Sequence, residues 1–383
     1  TTATLRFIEN CHELAEDPVL KKRAGQFIDL YWALVAEEQL DGITGGAMTR
    51  CYLDHAMRGS GFLPGVAWHV LGVGRDSERP YYAGSWEAPD VVLKIAHRWP
   101  ERAPYEIRQR RMGLAVPGYD RPSKYRLRTD FGGLLRYTWC TPDFIMGSFS
   151  HEARPTQDWI AISSQNRWSG AIFSGGGRVF SAPYNAKGDS ILNGFWSVQS
   201  KGSMISQQLP PRNTGEPITG EGASHDWRVF FSKAGLTRPV WEDRWFFAEA
   251  QNAFVGVCVV DGVAAFSEEM PRFGQWLVCE NKDTPVIIEA GRKADFESFE
   301  AFRKGALAQS VSMENSVLTY RSLGGDTLTF HADRSRLPEI NGKPVELAPD
   351  KVYDSPFVQS EWDSGVVTIQ FGDEKRVLDF NGE

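Results

Sequence analysis

From Tyr105 onward the chain is a succession of short apolar or alternating segments cut by Gly, Pro, Asn and Asp. Alternation sends successive side chains to opposite faces of an extended backbone, and breakers at this spacing are those of sandwich proteins. Lys124–Thr129, Leu134–Trp139, Trp159–Ser163, Ser169–Phe173 and Trp227–Ser232 are strand segments of this kind. Two tight hairpins are predicted where a Gly-containing pair separates apolar runs. One is Val255–Val260, Asp261-Gly262, Val263–Phe266, and the other is Leu337–Ile340, Asn341-Gly342, Lys343–Leu347. Both pairs suit the positive φ that two-residue hairpin turns require. Phe296–Ala308 reads as a lone helix in this region, and Gly365–Asp379 as strand, turn at Gly372-Asp373, strand.

The preceding residues follow the helical period. Thr4–Glu16 puts Leu5, Ile8, Cys11, His12 and Ala15 on one stripe, and Asp17-Pro18 ends that helix and starts the next. Val19–Leu40 continues with Leu20, Ala24, Phe27, Ile28, Tyr31, Leu34 and Val35 apolar, and Asp41-Gly42 is expected to close it as a helix exit. Ala47–Met57 and Val91–His97 are further short helical segments. The fold class is therefore α+β and mostly β. A helical hairpin with its connector occupies residues 1–104, and a large antiparallel β-sandwich occupies residues 105–383. One αα-hairpin cannot close a bundle around its own stripes. Leu20, Phe27, Tyr31 and Leu34 are thus expected to be under-covered, with an N-terminal helical portion of the same protein, or another subunit, packing on residues 1–40. The chain opens at Thr1 without Met and without a signal peptide in view, so a longer helical domain is expected before it.

Composition removes several function classes. In 383 residues, 42 Lys and Arg face 49 Asp and Glu, for a net charge of −7. Such a field disfavours nucleic acid and anionic membranes as partners. The longest apolar run, Ala253–Phe266, is broken by Asp261-Gly262 and cannot span a bilayer as a helix. The five cysteines include no CxxC pair and imply no disulfide framework. Thirteen Trp is a high count, and each is either a core residue or a platform on which a sugar ring stacks.

Three segments carry candidate chemistry. Gly42-Ile43-Thr44-Gly45-Gly46-Ala47-Met48-Thr49-Arg50-Cys51-Tyr52, with Asp54 and His55 after it, combines glycines that let backbone approach a ligand or turn sharply with Arg50, a fork for a carboxylate. Tyr52 and His55 can exchange protons with a bound substrate. The glycines serve equally well as a cap and a turn. In the second segment, Arg136 to Ser148 with His151 following, Tyr137 and Trp139 share one face of a strand, as a sugar platform or as half of a core. The third, Ser163-Ser164-Gln165-Asn166-Arg167-Trp168, offers amide and guanidinium groups suited to hydroxyl- and carboxylate-rich ligands, or is a solvated hairpin loop. Arg98, Arg102, Arg108, Arg110 and Arg111 form a basic run that either neutralises an acidic polymer or is a solvated face. The seven His show no HxH or HxxxH spacing, and no G-x-S-x-G elbow is present. His225 is the one position that could join a structural divalent cation site, without support from spacing.

A helical hairpin ending in Gly-Gly-x-x-x-Arg-x-Tyr, a connector and a large antiparallel sandwich resemble the layout of α/α-toroid polysaccharide lyases, the heparinase II/III-like and alginate-lyase-like enzymes. Some toroid glycoside hydrolases look similar. The resemblance implies a site in the cleft between toroid and sandwich, a uronate-containing polysaccharide or oligosaccharide as substrate, β-elimination without a cofactor, and a secreted or periplasmic location. The chain departs from the layout in having too few helices for a toroid. In such chemistry a uronate carboxylate is neutralised so that its α-proton becomes acidic, a role that Arg50, Gln165, Asn166 and Arg167 fit. Tyr52, His55 or His151 fit the removal and return of the proton. A hydrolase would instead need two carboxylates across the scissile bond, and Asp41, Asp54, Asp143 and Glu152 are available but unpaired by spacing. A third reading is a non-catalytic sandwich on which Trp139 and Trp168 stack sugars.

Overall fold

The computed structural model describes residues 2–48, 56–57, 64–75, 84–98, 101, 104–111, 134–151, 168–184, 195–208, 226–267 and 272–382. Helices α1 (Thr2–Leu14) and α2 (Pro18–Glu37) open the chain. The Asp17 carboxylate accepts the Val19 and Leu20 N–H groups, and Pro18 fills a first-turn position whose N–H has no helical acceptor. Helices α3 (Pro64–Leu71) and α4 (Asp90–His97) follow, and α5 (Phe299–Ala308), capped by Ser298, stands alone among strands.

The strands form a large sheet of twelve and a second of six, with every described pairing between named strands antiparallel. The large sheet runs in spatial order Ala264–Ser267, Gly274–Cys279, Asp226–Ser232, Arg178–Tyr184, Ser169–Phe173, Phe144–Ser150, Leu134–Cys140 and Tyr105–Arg111. It ends in Lys351–Asp354, Val358–Glu361, Val366–Phe371 and Glu374–Asp379. The second sheet is Val240–Glu242, Trp245–Glu249, Ala253–Val259, Val286–Arg292, Ser203–Gln208 and Phe195–Ser200.

Strand alternation divides the side chains among three cores. In Asp226–Ser232, Trp227, Val229 and Phe231 point between the two sheets, while Phe230 points to the helices. In Ala253–Val259, Val255 and Val257 point between the sheets, while Phe254 and Cys258 point to an outer layer. That layer is α5 with a third, five-stranded sheet over Val311–Pro344 that includes Val317–Arg321 and Thr327–His331. The expected two-layer sandwich is therefore covered on both outer faces. The chain after Val345 returns to widen the large sheet under the helices.

Two turn expectations are corrected. Asp41-Gly42 is a hairpin turn, not a helix exit: α2 ends at Glu37, and Gln39–Leu40 pairs with Ile43–Thr44 around Asp41 (φ 53°) and Gly42 (φ 77°). Asp261-Gly262 joins no hairpin. Ala253–Val259 lies in the six-stranded sheet and Ala264–Ser267 at the edge of the large one, so the pair carries the chain from one sheet to the other. Only Gly262 there has positive φ, whereas Asn341 and Gly342 both do and form the expected hairpin.

The helical hairpin packs on the sandwich. Ile28, Trp32, Ala33 and Ala36 are buried against α4 and the last strands of the large sheet. Asp29 accepts the Trp86 indole N–H (2.9 Å) and Arg376 Nε–H (2.8 Å). Tyr31 and Leu34 are half-buried, and Leu20 and Phe27 are exposed.

Between the six-stranded and third sheets, Glu289 is fully enclosed. Ser203 Oγ donates to it at 2.8 Å and the Tyr320 hydroxyl at 2.6 Å. Burial pushes its carboxyl up to about 7 from an ordinary 4.5, against the opposing effect of those hydrogen bonds. The folded chain thus holds a proton there that the unfolded chain releases above 4.5. Stability from this group is complete below pH 4.5 and is lost as pH rises through 7, by roughly 3 kcal/mol. Glu289→Gln is expected to remove that share of the pH dependence in urea melts at pH 5 and pH 8. An unchanged pH dependence in the variant would contradict the assignment.

Candidate functional site

Neighbouring strands of the large sheet run in opposite directions, so alternate termini collect at each end. Arg111 pairs with Leu134, Leu135 with Ser150, Ser169 with Ser181 and Asp226 with Tyr184. Phe195 and Gln208, paired with each other, bring two strands of the second sheet to the same end. His151 Nε2 lies 3.1 Å from the Phe195 carbonyl oxygen and joins the sheets there. The described residues flanking segments 112–133, 152–167, 185–194 and 209–225 all stand at this one end. The sandwich interior below them sets buried serines beside the Phe195 and Trp227 rings. Ser181 Oγ and Ser206 Oγ are 2.9 Å apart, Ser197 Oγ donates to Phe149 O (2.7 Å), and Ser150 Oγ donates to Ser197 O (3.1 Å).

On the helix-facing side of the large sheet, Gly45–Met48 lies flat against the strands. Met48 and Trp168 exchange both backbone hydrogen bonds, at 3.1 and 3.0 Å. A Cβ on Gly46 would stand 2.0 Å from Arg136 Nη2, and one on Gly147 would stand 2.3 Å from the Ala47 nitrogen. Backbone contact between loop and sheet is what these glycines permit. Underneath, the Arg136 guanidinium forks onto both carboxylate oxygens of Glu38. Its Nε donates to Ala47 O (2.5 Å) and Nη1 to Gln109 Oε1 (3.1 Å), while Thr138 Oγ1 donates to Glu38 Oε1 (3.2 Å). Both charges are buried. One interaction therefore fixes the end of α2, the Gly45–Met48 loop and the middle of the large sheet.

Arg50, Tyr52, His55, Gln165, Asn166 and Arg167 lie outside the described residues, as do Asp54, Glu152 and His225. The Met48–Trp168 pairing nonetheless brings the described residue two before Arg50 beside the one directly after Arg167. His151 is 2% exposed, with its ring engaged at Phe195. Trp168 is 1% exposed and packs 6.1 Å from the Phe180 ring, so in this conformation it presents no face to a sugar. Tyr137 and Trp139 share a face, as alternation implies, and that face looks between the sheets. The Tyr137 hydroxyl accepts Lys201 N–H at 3.1 Å, and burial holds its pKa far above the usual phenolic range. Trp139 is half-buried against the core. Asp143 is paired with Arg292 at 2.6 Å, and Asp41 is exposed in its turn. In the basic run, Arg98 pairs with Glu101, Arg108 pairs with Glu106, and Arg110 stacks 3.6 Å over the Trp362 ring.

Among the described residues no group of three His, Cys, Asp or Glu is placed to hold a metal ion. No family model, curated protein or solved structure matches the chain. No local pattern in the sequence marks Glu38, whose partner lies 98 residues away.

Removing one partner of a buried ion pair strands the other charge. Glu38→Ala is expected to destabilise the fold by about 3–5 kcal/mol in urea denaturation. The double variant Glu38→Leu/Arg136→Met is expected to recover much of that loss. A Glu38→Ala chain as stable as the parent would show that the pair does not hold the joint.

Proposed function

We propose that the protein is a carbohydrate-active enzyme, a polysaccharide lyase that cleaves a uronate-containing polymer by β-elimination. Its site would be where the loop end of the sandwich meets the Gly45–Met48 segment. The observation that carries this reading is the Met48–Trp168 pairing, which brings together the roots of the two segments bearing Arg50-Cys51-Tyr52 and Gln165-Asn166-Arg167. Neutralising a uronate carboxylate requires cationic and amide groups, and these two segments carry both in their sequence. The reading assigns carboxylate binding to Arg50 with Gln165, Asn166 and Arg167, and proton transfer to Tyr52, with His55 as the alternative base. His151 is assigned to support the strand end, because its ring is already engaged.

The test is incubation of the full chain with uronate polymers, read as absorbance near 235 nm from unsaturated products. Reducing ends without that absorbance would favour a hydrolase, and retention on a polysaccharide gel with neither signal would favour a binding module. Arg50→Ala is expected to lower activity by about two orders of magnitude or more while the melting temperature holds. Loss of stability with specific activity retained would make Arg50 structural.

A further inference from the structure

We propose that the outer face of the α1–α2 hairpin pairs with the same face of a second copy of this chain about a two-fold axis. On α1, Leu5 and Glu9 are buried, and the His12 ring lies against Gly25 of α2, with Nδ1 3.2 Å from the Lys21 carbonyl oxygen. Phe7 (65% exposed), Asn10 (exposed) and Leu14 (76% exposed) look the other way. Steps of three and four residues keep these three on one stripe, which is the spacing of a seam between two helices. α2, packed against α1, adds Leu20 (47% exposed) and Phe27 (40% exposed), seven residues apart on their own helix. Four large apolar side chains on two packed helices make a patch rather than scattered single exposures, and such a patch marks an interaction surface.

The stripe is complementary to itself. Two copies of α1 laid antiparallel, with the axis near Asn10, set Phe7 of each opposite Leu14 of the other. Asn10 then meets Asn10 across the axis, where one amide donates and the other accepts. A polar residue inside an apolar seam fixes register, because a slip of one turn leaves the amide against hydrocarbon. At the two ends Arg6 meets Glu16 of the second copy. Both are exposed, and neither forms an ion pair among the described residues. A two-fold interface needs this pattern, in which residue i meets j and j meets i. A membrane surface also takes exposed apolar stripes, but it favours flanks of one positive sign. Here Glu16 and Asp17 stand exposed beside Lys21 and Lys22, in a chain of net charge −7. Four apolar side chains per copy fall short of a permanent interface, so the pairing is concentration-dependent, with a Kd on the order of 10 µM. The inference does not rest on the proposed activity, since it is read by mass.

The experiment is sedimentation velocity of the full chain from about 1 to about 200 µM, a range that brackets the expected Kd. The parent is expected to pass from one chain to two across it. Phe7→Glu, which puts a charge in the seam at an exposed helix position, is expected to stay monomeric with its melting temperature held. Arg6→Glu and Glu16→Arg each set like charges together at both ends, and each is expected to weaken the dimer about three- to tenfold. The double variant Arg6→Glu/Glu16→Arg restores opposite signs and is expected to return to about the parent Kd. A parent that stays monomeric throughout, a dimer that survives Phe7→Glu, or a double variant no tighter than the single ones would each overturn the proposal. So would flotation of the parent, but not of Phe7→Glu, with vesicles of phosphatidylserine and phosphatidylcholine, which would make the stripe a membrane contact.

Discussion

The central strands of the large sheet have no face for water, and the rest of the molecule follows from that. Every described residue of Phe144–Ser150 and Ser169–Phe173 is buried, so one side needs a second sheet and the other needs the helices. On the helix side, Phe180, Phe230 and Trp276 form an aromatic cluster with ring centroids 5.0–5.7 Å apart. Each such side chain gains about 1.5–3 kcal/mol from leaving water, which happens only while the helical segment is seated. The helices are thus part of the same folding unit as the strands.

Charge is then used at the joint in a consistent way. Glu38 ends α2 on Arg136 in the middle of the sheet, and Asp29 ties α2 to Arg376 near the end of the chain. Of these two, only Glu38–Arg136 is buried on both sides, since Arg376 is exposed; buried pairs add little stability over apolar residues but penalise any other seating of the elements, because a misplaced partner leaves a charge unpaired. They therefore set register between layers that hydrophobic contact alone would let slide.

Much of the architecture was legible in local sequence and much of the site was not. Alternation located the strands Leu134–Cys140, Ser169–Phe173 and Asp226–Ser232 because each face has its own core. The turn dipeptides were less informative. Asp-Gly at 41–42 and 261–262 and Asn-Gly at 341–342 all provide positive φ, yet the first closes a small hairpin after a helix, the second switches sheets and the third closes a hairpin. Such a pair specifies a reversal, whereas which strands then pair is decided by where their side chains find a core. Gly45 and Gly46 read equally well as ligand-facing or structural, and the distinction rests on Arg136 and Ile145, distant residues that no local pattern reveals. Glu38–Arg136 has no spacing signal at all, because tertiary contact alone brings the two together.

Native-state hydrogen exchange tests most directly whether helices and sandwich are one cooperative unit. The buried amides of Ile28–Ala36 in α2 and of Val179–Ala182 and Val229–Phe231 in the large sheet would be followed against denaturant. Because the two sets share one core, they are expected to exchange with the same high opening free energy and the same denaturant dependence. Opening of the α2 amides several kcal/mol below the strand amides, with a smaller denaturant slope, would show that the helical segment detaches on its own and that the double burial of the sheet is not what holds the fold together.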